Sequence, residues 1–150
     1  MAGETATAAG VSFASLAAVA IRASSTSGAC SPGRMTSRIT SALVGICHCL
    51  DCRKHHGALF HASAIFPEDA VTITGATAEY KGRHFCPACG SSLFGRTGDE
   101  IEVNVGCLDA PNLVKPTYES WVIRREDWLP PFEVARRYPR DREGTGRTEP

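Results

Sequence analysis

Three cysteines within six residues, Cys47-His48-Cys49-Leu50-Asp51-Cys52, form the densest concentration of reactive side chains in this chain. Sulfurs so close in sequence suit one shared metal ion better than cross-links to three separate partners. A second motif, Phe85-Cys86-Pro87-Ala88-Cys89-Gly90, sets two cysteines on one side of a tight turn. Pro87 stiffens that turn and Gly90 supplies the positive φ at which the chain leaves it, as in half of a closed tetrahedral zinc site. Cys30 and Cys107 bring the total to seven. An odd count fits a closed disulfide framework poorly, so the pattern reads as reduced thiols, metal binding and a cytoplasmic setting.

Two partitions of the cysteines are open at this point. Cys49 and Cys52 can join Cys86 and Cys89 in a zinc-ribbon site, which strands Cys30 and Cys47. Alternatively Cys30 joins the Cys86–Cys89 knuckle and leaves Cys47, Cys49 and Cys52 as an independent set. Three protein ligands with one open position is the pattern of a catalytic metal. Charge favours this second partition. Three thiolates on a dication leave a net charge of −1, and Arg53-Lys54-His55-His56 follow directly as positive company. Zinc held by three thiolates is a weak Lewis acid, better suited to holding a substrate thiol as thiolate than to generating hydroxide. The ligand set therefore points to chemistry on a thiol. His48 reads as a residue that orients the ligand loop, His61 as structural and Cys107 as a small buried hydrophobe. Trp121 and Trp128 read as packing groups.

The elements that must position these groups are mostly strands. Val71 and Ile73, and then Ile101, Val103 and Val105, alternate with polar residues at period two. Leu59 to Phe66 and Tyr118 to Ile123 are aromatic and β-branched runs of strand length, separated from their neighbours by Pro-, Gly- and Asp-containing turns. No long stretch carries the spacing of an amphipathic helix, and Arg124 to Leu129 makes at most one short turn before Pro130-Pro131 stops it. An all-β domain over residues 29–139 is expected. It follows an Ala/Ser-rich, poorly ordered extension over 1–28 and precedes a fraying polar tail over 140–150. Sixteen basic residues balance sixteen acidic ones. No global field points to nucleic acid or an anionic membrane, and no apolar run is long enough to span a bilayer.

The segments Gly45-Ile-Cys-His-Cys-Leu-Asp-Cys-Arg53 and His84-Phe-Cys-Pro-Ala-Cys-Gly-Ser-Ser-Leu-Phe-Gly95 closely resemble the glutathione-dependent formaldehyde-activating enzyme and centromere protein V family. Val105-Gly-Cys-Leu-Asp-Ala-Pro111 and Glu119-Ser-Trp121 resemble its downstream segments. The resemblance covers about residues 28–138. It implies a β-tent of antiparallel sheets with two zinc sites and few or no helices. The catalytic zinc would lie on Cys47, Cys49 and Cys52. The structural zinc would lie on Cys86 and Cys89 with an N-terminal C-x-C pair. Here that pair reads Cys30-Ser31-Pro32-Gly33. Proline cannot ligate metal, so the expected structural set is Cys30, Cys86 and Cys89, completed by water, His84 or Cys107. The activity implied is that of a carbon–sulfur lyase on a glutathione–aldehyde adduct such as S-hydroxymethylglutathione, with Arg53 and Lys54 binding substrate. The alternative is a non-catalytic zinc-stabilised interaction module, as the centromere-protein side of the family suggests. A small thiol is the expected partner, with neither nucleic acid nor membrane.

Overall fold

The computed structural model describes residues 18–22, 34–38, 43–108 and 111–142. Cys30 and Pro32, on which the expected structural zinc site turns, lie outside them. The described residues are mostly β, as the residue pattern predicts. The strands are β1 (Ala18–Arg22), β2 (Arg34–Arg38), β3 (Leu43–Cys47), β4 (His61–Pro67), β5 (Val71–Ile73), β6 (Ala78–Tyr80), β7 (Arg83–Phe85), β8 (Ser92–Thr97), β9 (Glu100–Asn104), β10 (Tyr118–Ser120) and β11 (Arg136–Arg137). Among the described residues one α-helix, α1 (Leu50–His56), interrupts them. No helix among the described residues is long and apolar enough to cross a membrane.

Eight strands form one sheet in the order β11-β10-β3-β4-β9-β8-β7-β6, and β1, β2 and β5 form a second. Residue alternation gives the large sheet two unlike faces. On one face, cross-strand partners Val44, Ala64, Val103 and Phe94 form a continuous buried row. Phe66, Leu93, Cys86 and Ile101 extend this into the main core. The opposite face is polar. Its rows run Tyr118–Gly45–Ser63–Asn104 and Ser120–Cys47–His61. Cys47 thus emerges on the polar face because Val44 and Ile46 must point the other way.

The pairing differs from the expected antiparallel pattern in one place. β10 runs parallel to both β3 and β11. The chain leaves β9 through a 3₁₀ turn at Val105–Cys107 and returns along the edge of β3 through a long connection, which is what a parallel neighbour requires. The strand expected over Tyr118 to Ile123 accordingly ends at Ser120. The short helical turn expected at Arg124 falls at Val122–Arg124. Arg140, placed by composition in the polar tail, is docked: its carbonyl accepts from Trp121 N–H at 2.8 Å. Arg142 forms an ion pair with Glu100.

Gly45 admits no other residue without rearrangement. A Cβ built on it would lie 2.1 Å from Tyr118 Cζ and 2.4 Å from its hydroxyl oxygen. Gly45→Ala should therefore cost about 1–3 kcal/mol, the usual penalty of overpacking. Urea unfolding of the two proteins checks this, and an unchanged midpoint would show that Tyr118 swings away freely.

Candidate metal centre

The ligand loop is built by a strand that stops and a helix that starts. β3 ends at Cys47 and α1 begins at Leu50, with Cys49 as its N-cap. The Cys49 sulfur accepts a hydrogen bond from the Cys52 N–H at 3.3 Å. This is the capping role usually taken by Ser or Asp, and it turns the Cys49 side chain back toward Cys52. Gly57, at φ +59°, closes the helix. The four basic residues Arg53 to His56 occupy its last turn, where the helix dipole favours positive charge.

The three sulfurs of Cys47, Cys49 and Cys52 lie within 4.8 Å of one another. They are the one such group of three metal-ligating side chains among the described residues. Cys49 and Cys52 are 3% and 4% exposed, and Trp121, 2% exposed, packs against them. Hydrogen bonding to Cys49, then burial and the charge on Cys49, push the Cys47 thiol up to about 11. Contacts with Cys47 and Cys49, and then burial, drive Cys52 higher still. Three thiols crowded in apolar surroundings cannot all ionise without a cation among them. The donor set therefore fits a thiophilic metal ion, which supplies that positive charge.

A buried charge network holds the loop from behind. His48, between the ligands, is fully buried, and its Nε2 pairs with Glu119 Oε1 at 3.1 Å. Glu119 is also fully buried, and it accepts from Arg137 Nε at 2.8 Å. Arg125 Nε lies 3.4 Å from Oε1, the oxygen that His48 meets. Backbone contact reinforces the link, because His48 N–H donates to the Ser120 carbonyl at 3.1 Å. His48 thus orients the ligand loop, through a partner that its own segment does not reveal. Trp121 sits in the left-handed region at φ 56°. For a bulky residue that conformation costs on the order of 1–3 kcal/mol and persists only where its surroundings impose it. The Trp121 indole N–H and His48 Nδ1 are buried with no hydrogen-bond partner among the described residues.

Two cavities reach the cluster on the polar face of the sheet. The first, of about 410 Å³, is lined by Cys52, the histidines His55, His56 and His61, and the cations Lys81, Arg83 and Arg96. His61 Nε2 bonds Asn104 Oδ1 at 2.8 Å, Asn104 Nδ2 donates to Ser92 Oγ at 2.9 Å, and His55 Nε2 meets the same oxygen at 2.9 Å. His56 stacks on His61 at 4.0 Å. Burial, then His61, His55 and Arg83, pull His56 down to about 3. The second cavity, of about 390 Å³, is lined by Cys47, Tyr118, Ser63, Ser120 and Arg142. Thr97 and Glu102 border both.

The remaining expected site residues fall elsewhere. Arg53 donates through Nη1 to the Arg124 carbonyl at 2.8 Å and forms an ion pair with Glu126. Lys54 is exposed. Cys86 is buried in the main core and Cys89 is exposed, its sulfur 3.1 Å from Ser91 Oγ. Gly90 has the positive φ expected of it, 75°. Neither knuckle cysteine joins the cluster, so the ribbon set is not assembled among the described residues. Cys107 donates to the Ser92 carbonyl at 2.9 Å, and burial raises its thiol to about 11. His84 stacks on Phe94. Trp121 is a packing group as expected, whereas Trp128 is 69% exposed. Sequence reasoning missed Glu119 as the anchor of the loop, and Lys81, Arg83 and Arg96 as cavity cations. The Glu119-Ser-Trp121 segment was its only signal for the first.

Fold and site together define a mostly β protein that carries a three-cysteine cluster able to hold a metal ion, beside two polar cavities. Residues 25–124 match the glutathione-dependent formaldehyde-activating enzyme family, and the chain belongs to that family. No curated protein matches it.

Glu119→Gln removes the charge that meets two arginines and is expected to destabilise the fold by about 3 kcal/mol, the low end for a broken buried pair because Arg137 reaches solvent. Urea denaturation with metal present checks this. A second expectation concerns acid. His56 binds its proton less tightly folded than unfolded, so its contribution is complete above about pH 6.5 and is lost as pH falls toward 3. His56→Gln should therefore gain stability relative to the unsubstituted protein across that window. Midpoints measured at several pH values for both proteins would show a constant difference if the imidazole were solvated.

Proposed function

We propose that this protein is a zinc-dependent carbon–sulfur lyase acting on the adduct of glutathione with an aldehyde, S-hydroxymethylglutathione being the simplest. The observation that carries this reading is the trithiolate cluster opening onto a cavity lined by cations, in a chain of this family. Zinc on Cys47, Cys49 and Cys52 would supply a positive centre that keeps a substrate sulfur as thiolate near neutral pH. The protein's own residues do the rest. Lys81 and Arg83 offer positive charge to the carboxylates of glutathione, and Arg is well shaped for such pairing. Arg83 already faces an acidic neighbour, Asp51 at 3.8 Å, on a partly exposed side chain that a bound carboxylate can displace. Arg53 acts from its place in the Glu126 pair, fixing the helix that carries Cys52, and Lys54 adds long-range attraction for an anionic thiol.

His56 is held neutral by its burial and stands in the cavity that Cys52 lines. With its proton affinity that low it forms an uncharged wall of the cavity, and the proton released when the thiol ionises passes to solvent. A second, structural zinc, which Cys30, Cys86 and Cys89 would hold, belongs to the same reading.

Elemental mass spectrometry of reduced protein, paired with an assay of adduct formation from glutathione and formaldehyde, tests the proposal. Two zinc ions per chain and glutathione-dependent turnover are expected. Cys49→Ser should lose one zinc and at least 100-fold in activity together. Turnover that survives loss of that metal would sink the catalytic assignment. Stoichiometric zinc with no thiol-dependent activity would favour a binding module.

A further inference from the structure

The second cavity, on the Cys47 side, has a polar group that the glutathione reading does not use. The Tyr118 ring lies across Gly45, its hydroxyl oxygen only 2.4 Å from where a Gly45 Cβ would stand. A Gly45 side chain would point to the same face as Cys47, two residues further along β3, so the hydroxyl stands on the ligand face roughly 7 Å along the strand from Cys47. Tyr118 and Cys47 line one cavity. Tyr118 is 7% exposed, and its hydroxyl has no hydrogen-bond partner among the described residues. Its ring is fixed by edge contact with Tyr138 at 5.9 Å and by the parallel pairing of β10 with β3. The glycine beneath it makes room for the phenol, and Tyr118 lines the cavity it shares with Cys47.

We propose that Tyr118 is a catalytic residue that donates a hydrogen bond to the carbonyl-derived oxygen of the substrate, and that the Cys47-side cavity receives the aldehyde half of the adduct. This rests on the lyase reading above, with glutathione's charged arms in the cavity on the Cys52 side. In the forward direction the thiol sulfur bonds to the aldehyde carbon, the carbon–oxygen π bond opens, and its electron pair goes to oxygen. That oxygen gains the proton the thiol lost, so R–SH and R′CHO give R–S–CH(OH)R′ with no oxidant or reductant. Charge on the oxygen peaks as the carbon–sulfur bond forms, which is where a preorganised donor acts most strongly. Burial raises the phenol above its ordinary range, so Tyr118 remains a donor throughout the neutral and mildly alkaline range. Ser63 and Ser120, on the same face, supply hydroxyls around the remainder of the aldehyde.

The test is Tyr118→Phe, which keeps the ring over Gly45 and removes only the donor. Its zinc content, thermal midpoint and glutathione affinity, the last by calorimetry with glutathione itself, should match the unsubstituted protein. Its kcat for adduct formation should fall on the order of 100-fold. Equal kcat in the two proteins would overturn the assignment and leave the lyase reading intact. No turnover in the unsubstituted protein would instead overturn the lyase reading. A Tyr118→Phe variant that loses zinc or midpoint along with activity would mark Tyr118 as structural and also overturn the proposal.

Discussion

Three sulfurs held within 4.8 Å of one another in apolar surroundings are the constraint around which this protein is organised. Left as thiols they pack acceptably, but as thiolates they repel, and burial compounds the penalty. Only a cation at their centre makes the ionised arrangement favourable. Everything nearby serves that geometry. β3 must end at Cys47, the helix must start at Leu50, and Cys49 must both cap the helix and face Cys52. The loop is short enough that no member can move without moving the others.

What keeps the loop in place is a carboxylate far away in sequence. Glu119 is buried beneath His48 and is compensated by Arg125 and Arg137. The parallel pairing of β10 with β3 delivers it there. The same pairing brings Tyr118 onto Gly45 and Trp121 onto the cysteines. One strand of three residues therefore supplies the loop's anchor, one wall of a cavity and, through the residue that follows it, the apolar shield of the sulfurs. The left-handed backbone at Trp121 is the local cost of turning the chain so tightly after so short a strand.

The cysteine triplet and the fold class were legible because both are written locally. Sulfur spacing reveals the ligands, and alternation at Ile101 and Val103 or through Leu59 to Phe66 reveals the strands. The helix was not legible, because seven residues hold too little periodicity to see. Its ends are fixed by a cysteine cap and by Gly57 rather than by an amphipathic stripe. The cavity cations were hidden for a different reason. Lys81 and Arg83 flank the β6–β7 turn and Arg96 lies on β8, and only the strand order carries them to the helix that bears Cys52. Arg53 and Lys54 drew attention by adjacency in sequence, while the helix aims Arg53 toward Glu126.

Chain order also sets a timetable. A ribosome extends a chain at roughly 5–20 residues per second, so the triplet emerges several seconds before Glu119 and Trp121 are made. Until then His48 has no anchor and the sulfurs have no lid. Closing the 71-residue separation between His48 and Glu119 is a late, non-local event. A nascent chain thus presents three adjacent, uncovered thiols to its surroundings during synthesis, open to metal loading and to oxidation alike. Whichever reaches them first decides whether the finished sheet closes over a metal or over a mispaired disulfide.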